Sequence, residues 1–128
     1  MMKFETSRFG SLEVSEDRVI NFPAGLPGFS QLSRYVLLDY KDTPLKWLQS
    51  VDDPQVAFIV ADPNTVSSEG TITIGDDVVR FLKIEKEEEL AVLIILRAED
   101  DKVVANLNGP LAINSNLMLG VQAVIDRG

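Results

Sequence analysis

The order of apolar and polar positions reads as a succession of short strands. Phe4, Thr6 and Arg8 alternate with Glu5 and Ser7, Phe9-Gly10 interrupts, and "SLEV" at 11–14 resumes, which predicts a β-hairpin. A turn around Ser15, Glu16 and Asp17 leads into "RVINF" at 18–22, another short strand. "YVLLDY" at 35–40, "PLKWLQSV" at 44–51 and "VAFIVA" at 56–61 follow as strands. The last two pair across Asp52-Asp53-Pro54, where acidic turn formers precede a residue that cannot donate a ladder bond. "TITI" at 71–74 is β-branched throughout and predicts a strand. "AVLIILRA" at 91–98 is a continuous apolar run, the pattern of a buried central strand. "VVANLNGPLAI" at 103–113 is extended with a bend at Gly109-Pro110, "NSN" at 114–116 is a tip, and "LMLGVQAVI" at 117–125 returns as the last strand.

Two stretches change period. In "GDDVVRFLKI", Val78, Phe81, Leu82 and Glu85 fall at helical spacing, which predicts a short helix near residues 76–83 with Asp76 and Asp77 in its first turn. "SQLSR" at 30–34 predicts one helical turn capped by Ser30. About nine short strands joined by tight turns, with one helix, disfavour parallel βαβ units. The expectation is a mainly β fold, a small antiparallel β-barrel-like single domain over residues 1–128.

The stretch "FPAGLPGF" at 22–29 stands apart from this alternation. It lacks the Gly-Lys-Ser/Thr of a phosphate loop and a following helix to hold an anion. A structural loop is the stronger reading. Pro23 and Pro27 fix φ, Gly25 and Gly28 supply φ > 0, and Phe22, Leu26 and Phe29 anchor the loop to the core.

Composition changes the picture mainly by exclusion. The 128 residues contain no cysteine and no histidine, which removes disulfides, thiolate nucleophiles, Cys-based zinc sites and the commonest general base. What remains for an enzyme is carboxylate, lysine, serine or tyrosine chemistry, or carboxylate-held Mg²⁺. No run approaches the ~18 to 20 apolar residues of a membrane helix, and "MMKFETSRFG" lacks a secretory signal's apolar stretch, so a cytoplasmic location is expected. A formal charge of -8 argues against direct nucleic-acid or anionic-membrane binding; it suits solubility or a basic protein partner.

Candidate chemistry is sparse. Asp52, Asp53 and Asp62 lie near the ends of adjacent predicted strands, an arrangement open to general acid-base work or Mg²⁺, although all three are also ordinary turn formers. Asp100-Asp101 and the run 87–89 read as solvated turns. Trp47, between Leu45 and Leu48, reads as core. Leu117, Met118 and Leu119 follow a polar tip, where contact surface and core packing are equally good readings.

Four stretches, "ETSRFGSLEV", "INFPAGLPGF", "KWLQSVDDPQVAFIVADP" and "ANLNGPLAIN", resemble in sequence and order the FliW family of flagellar assembly factors, from Glu5 to about Ile125. The resemblance implies a bacterial, non-enzymatic, cofactor-free protein with two partners, flagellin and the RNA-binding translational regulator CsrA. It also implies a switch: new flagellin is bound until export, and the freed factor then sequesters CsrA, which relieves repression of flagellin mRNA translation. On that basis the acidic turns at Asp52, Asp53, Asp100 and Asp101 are candidates to meet CsrA's basic surface. Leu117, Met118 and Leu119 are candidates for an apolar segment of flagellin. The rival from another class is a carboxylate-dependent hydrolase or metal-binding domain built on Asp52, Asp53 and Asp62.

Overall fold

A computed structural model describes residues 1–66 and 72–124. Among them are ten strands: β1 (Met2–Thr6), β2 (Gly10–Val14), β3 (Ile20–Asn21), β4 (Arg34–Asp39), β5 (Lys46–Ser50), β6 (Ala57–Ala61), β7 (Leu90–Glu99), β8 (Lys102–Ala105), β9 (Leu111–Asn114) and β10 (Leu119–Gln122). Two short helices, α1 (Pro63–Val66) and α2 (Asp76–Phe81), join them, with 3-10 turns at Glu16–Arg18 and Glu87–Glu89. No helix among the described residues is long and apolar enough to cross a membrane.

Seven strands close into a barrel in the order β6-β5-β4-β3-β10-β9-β7, sealed by β7 against β6. The ladders are antiparallel except at one seam, where β10 meets β3 in parallel through Leu119 and Asn21. β8 is added to β7 outside the closed ring, and β1 and β2 form a separate hairpin. β7 is the central strand: residues 90–93 pair with β9, 94–96 with β6 and 96–99 with β8.

Strands buried on both faces explain the long apolar runs. In β4, Tyr35 and Leu37 point into the barrel core with Phe22, Leu48 and Val60, while Val36 and Leu38 point outward beneath the hairpin residues Phe4, Leu12 and Val14. In β7, Leu93 and Ile95 face the barrel interior, and Ile94 and Leu96 face an outer cluster with Ile59, Ala61 and Ile72. Alternation with two apolar environments produces a continuous hydrophobic run.

Several expectations are corrected. "SQLSR" forms no helical turn: Phe22 N–H bonds to the Ser33 carbonyl at 2.7 Å, drawing the segment into the sheet, and β4 begins at Arg34. A lone helical turn cannot compete with that pairing. "RVINF" contributes only Ile20 and Asn21 as strand, because Glu16–Arg18 winds into the 3-10 turn. In "TITI", Thr71 lies outside the described residues and Ile72 to Ile74 pair with no strand among them, so β-branching alone does not make a strand. The last strand is shorter than the apolar run "LMLGVQAVI", starting at Leu119 because Met118 adopts φ 53° in the preceding turn. The helix at 76–83 stops at Phe81, with Lys83 in the left-handed conformation, φ 57°, that ends many helices.

The Pro/Gly segment folds back on itself. Gly25 N–H bonds to the Phe22 carbonyl at 2.8 Å and Phe29 N–H to the Leu26 carbonyl at 2.8 Å. Phe22 and Leu26 are buried, and Phe29 is half-buried edge-on to Phe58 at 5.7 Å. Gly25 has φ 72° with the Phe29 carbonyl oxygen 2.7 Å from where a Cβ would stand, so only glycine fits.

Candidate functional site

Asp52 and Asp53 occupy the turn between β5 and β6, which its own polar groups build. Ser50 Oγ accepts the N–H groups of Asp52 at 3.2 Å and Asp53 at 3.0 Å, and Asp53 Oδ1 accepts that of Gln55 at 3.0 Å. Beneath it, buried Gln49 donates from Nε2 to the carbonyls of Ser50 at 3.0 Å and Val56 at 3.2 Å. The motif "QSVDDPQV" is therefore a self-bracing turn. Asp52 is spoken for: Arg34 Nε donates to its Oδ2 at 3.1 Å, and Arg34 Nη2 pairs with its Oδ1. That fork, first as a hydrogen bond and then as a charge, holds the Asp52 carboxyl below the usual carboxylate range. Burial, and then the half-buried Asp53 carboxylate nearby, push the Tyr35 phenol up to about 12.

Asp100 and Asp101 form the two-residue turn between β7 and β8, with φ 48° and 63°, the left-handed pair of a type I′ hairpin. Both side chains are exposed. β5 and β7 each run antiparallel to β6, so the Asp52-Asp53 and Asp100-Asp101 turns lie at the same end of this three-stranded segment.

The tip carrying Leu117, Met118 and Leu119 lies at the other end of β7, where Asn114 pairs with Leu90. Ten residues of β7 separate the tip from the Asp100-Asp101 turn by about 30 Å. The three apolar residues have different environments. Leu117 is 53% exposed, Met118 is half-buried against the barrel core, and Leu119 is half-buried in β10.

The tip is braced by residues that sequence reasoning passed over. Buried Asn114 accepts the N–H groups of Asn116 at 2.9 Å and Leu117 at 3.1 Å, and donates to the Leu82 carbonyl at 2.8 Å. Glu89 accepts from the N–H groups of Glu85 at 2.7 Å and Lys86 at 2.8 Å, and from Asn116 Nδ2 at 2.6 Å. Those bonds, the backbone pair first, hold its carboxyl below the usual range. The run 87–89 is thus more than a solvated spacer, a role that only the spacing of Glu89 to Asn116 in space reveals.

Asp62 follows β6 and spends its Oδ1 on the N–H of Asn64 at 2.8 Å. The whole of β6 separates it from Asp52 and Asp53, a span of about 17 Å, so the three carboxylates share no pocket. Among the described residues no group of three or more acidic side chains converges as a metal site. Trp47 is also not where the sequence suggested. Leu48 takes the inward position on β5, so Trp47 points outward, half-buried, stacked on Tyr40 at 5.4 Å and edge-on to Phe9 at 6.1 Å, with Arg8 Cζ 4.7 Å over its ring.

The family profile described as "FliW protein" matches residues 3–128. The chain belongs to the FliW family. It is 34% identical over 129 residues to the flagellar assembly factor FliW of Caldanaerobacter subterraneus subsp. tengcongensis, covering 98% of this chain and 86% of that protein. To the flagellar assembly factor FliW of Azoarcus sp. it is 39% identical over 135 residues, covering 98% and 92%. A crystal structure of the flagellar assembly factor FliW superposes with a TM-score of 0.91 at 32% identity, covering 99% of this chain and 91% of that one. The chain thus shares its fold with that crystal structure, and its own "FPAGLPGF" segment packs Phe22 and Leu26 into the barrel core.

Proposed function

We propose that this FliW-family flagellar assembly factor acts in the cytoplasm as a non-enzymatic partner switch, a single FliW-like domain that binds flagellin and, when free, binds and antagonises CsrA. Translation of flagellin mRNA is relieved while CsrA is held, and newly made flagellin, by occupying the factor, returns CsrA to its message. The observation that carries this reading is the family match across residues 3–128, supported by relatives of similar length that are all flagellar assembly factors. The surface chemistry is compatible. A chain of formal charge -8 is drawn to an RNA-binding protein over distance, and its two acidic turns lie together at one end of β5, β6 and β7. The exposed Leu117, with Met118 and Leu119 behind it, offers flagellin an apolar contact some 30 Å away along β7, so mutual exclusion rests on the bulk of the bound partner and not on a shared contact.

The test separates the surfaces by substitutions that respect the fold. Asp53→Lys leaves the Arg34–Asp52 fork intact, and Asp100→Asn with Asp101→Asn removes two charges while keeping residues that tolerate left-handed φ. Both should slow association with CsrA and leave flagellin affinity unchanged. Leu117→Asp should do the reverse, weakening flagellin about tenfold or more. CsrA association should also fall more steeply with salt than flagellin association, because exposed charges are screened beyond the ~10 Å Debye length at 0.1 M and apolar contacts are not. Unchanged kinetics in all three variants, or equal salt dependence for both partners, refutes the assignment of these surfaces.

A further inference from the structure

The barrel wall has an opening at the start of β7. Residues 90–93 pair with β9 on one side, and β6 reaches the other side only as far as Ala61 opposite Ile94 before the chain turns away into α1. Those four successive residues, with Asp62, Pro63 and Ile72, line one groove. Strand side chains alternate between faces, so four in a row can border a single groove only where it runs along the strand's backbone edge. Among the described residues no other backbone group bonds to that edge. Alternate residues of 90–93 therefore present to the groove N–H and C=O groups that have no backbone partner among the described residues, between the apolar walls of Pro63 and Ile72.

We propose that this edge is a β-augmentation site that accepts a short extended peptide with basic flanks from a protein partner, continuing the line that β6 leaves. The edge chemistry specifies an extended backbone, and charge specifies its flanks. Asp62 lines the groove, and Glu87 and Glu88, both exposed, stand in the turn that leads through Glu89 into Leu90, with Lys86 as the single cation in the run 85–89. A second copy of this chain, at -8, is repelled, and its own β-branched "TITI" is flanked by Glu69 and Asp76-Asp77, of the same sign as the rim. The proposal stands whether or not flagellin and CsrA are the partners, since neither acidic turn nor Leu117 lines the groove.

The probe is the capped peptide Lys-Val-Thr-Val-Thr-Val-Lys, titrated into the full chain with amide exchange and chemical shifts as readouts. The expected result is slowed exchange at residues 90–93. Two N-methylated versions, blocking alternate sets of peptide N–H groups, separate strand pairing from apolar contact: one should bind about tenfold more weakly and the other as the parent does. Replacing both lysines by glutamate should weaken binding severalfold at low salt, and Glu87→Lys with Glu88→Lys should invert that preference. No binding at 1 mM parent peptide, indifference to both methylation patterns, or protection mapped to Lys102–Ala105 instead overturns the proposal.

Discussion

Gly120→Ala puts the closure of the barrel on trial. Gly120 is buried in β10, opposite Ile113, and a Cβ built there falls 2.8 Å from Phe22 Cζ and 2.9 Å from Cδ2, with Cε2 nearer still. Phe22 has no room to yield: its ring is fully buried and meets Tyr35 edge-on at 5.6 Å. On backbone entropy alone, alanine in a strand is better than glycine by roughly 0.5 to 1 kcal/mol. Inserting a methyl group into a packed core costs about 1 to 3 kcal/mol, which equals or exceeds that gain, so the net loss should be roughly 0 to 2.5 kcal/mol. Phe22→Ala removes the ring instead and should cost about 3 to 5 kcal/mol. The diagnostic is the pair. In a Phe22→Leu background the Gly120→Ala penalty should vanish or reverse, giving a coupling of about 1 kcal/mol or more. Urea unfolding followed by Trp47 fluorescence, the chain's single tryptophan, reads each variant as a shift in midpoint at constant slope. Strictly additive effects of the two substitutions would show that the Phe22 ring does not plug the seam between β3 and β10.

Burial raises the Tyr35 phenol to about 12, so its contribution to stability is fully present below its unfolded value near 10 and is lost as pH rises toward 12. The parent should lose roughly 2 to 3 kcal/mol over that window relative to Tyr35→Phe, and the variant should be no less stable at pH 7 because the hydroxyl has no partner among the described residues; a less stable Tyr35→Phe at neutral pH contradicts this. Asp52, held low by Arg34, works in the opposite direction: its contribution is present above about 3.8 and is lost as pH falls, but both side chains are well exposed, so Asp52→Asn should cost at most about 1 kcal/mol. Gly25→Ala should cost about 2 to 4 kcal/mol by combining left-handed φ with contact on Phe29 O, measured by the same urea titration. Glu89→Gln should leave the barrel's midpoint nearly unchanged but speed amide exchange at Asn116, whose side chain it holds, and protection identical to the parent's would remove Glu89 from the tip's support.

The strands most legible in the sequence are those whose local pattern and tertiary partner agree. "YVLLDY", "VAFIVA" and "AVLIILRA" became β4, β6 and β7, and the two-faced burial of each accounts for the runs that pure alternation could not. Asp76 and Asp77 marked the start of α2 because acidic residues favour a helix's first turn. What stayed hidden depends on contacts far apart in sequence. The closing pair of β6 with β7, the parallel seam of β3 with β10, and the failure of "SQLSR" to wind all follow from partners fixed by the whole barrel. Among site residues, the Asp100-Asp101 turn was readable from its two acids, whereas the Arg34 fork on Asp52 spans 18 positions and the Glu89 bond to Asn116 spans 27. Trp47 misled because large apolar neighbours suggest core, and only the inward choice of Leu48 sends the indole to the surface.

The partner switch is tested most directly by competition. The purified chain is immobilised, loaded with the CsrA of its own bacterium, and challenged with that bacterium's flagellin, while bound CsrA is followed in real time. The account predicts that the chain captures each protein alone and that saturating flagellin displaces CsrA. Capture of neither protein, or flagellin bound with CsrA retained in full, would contradict it.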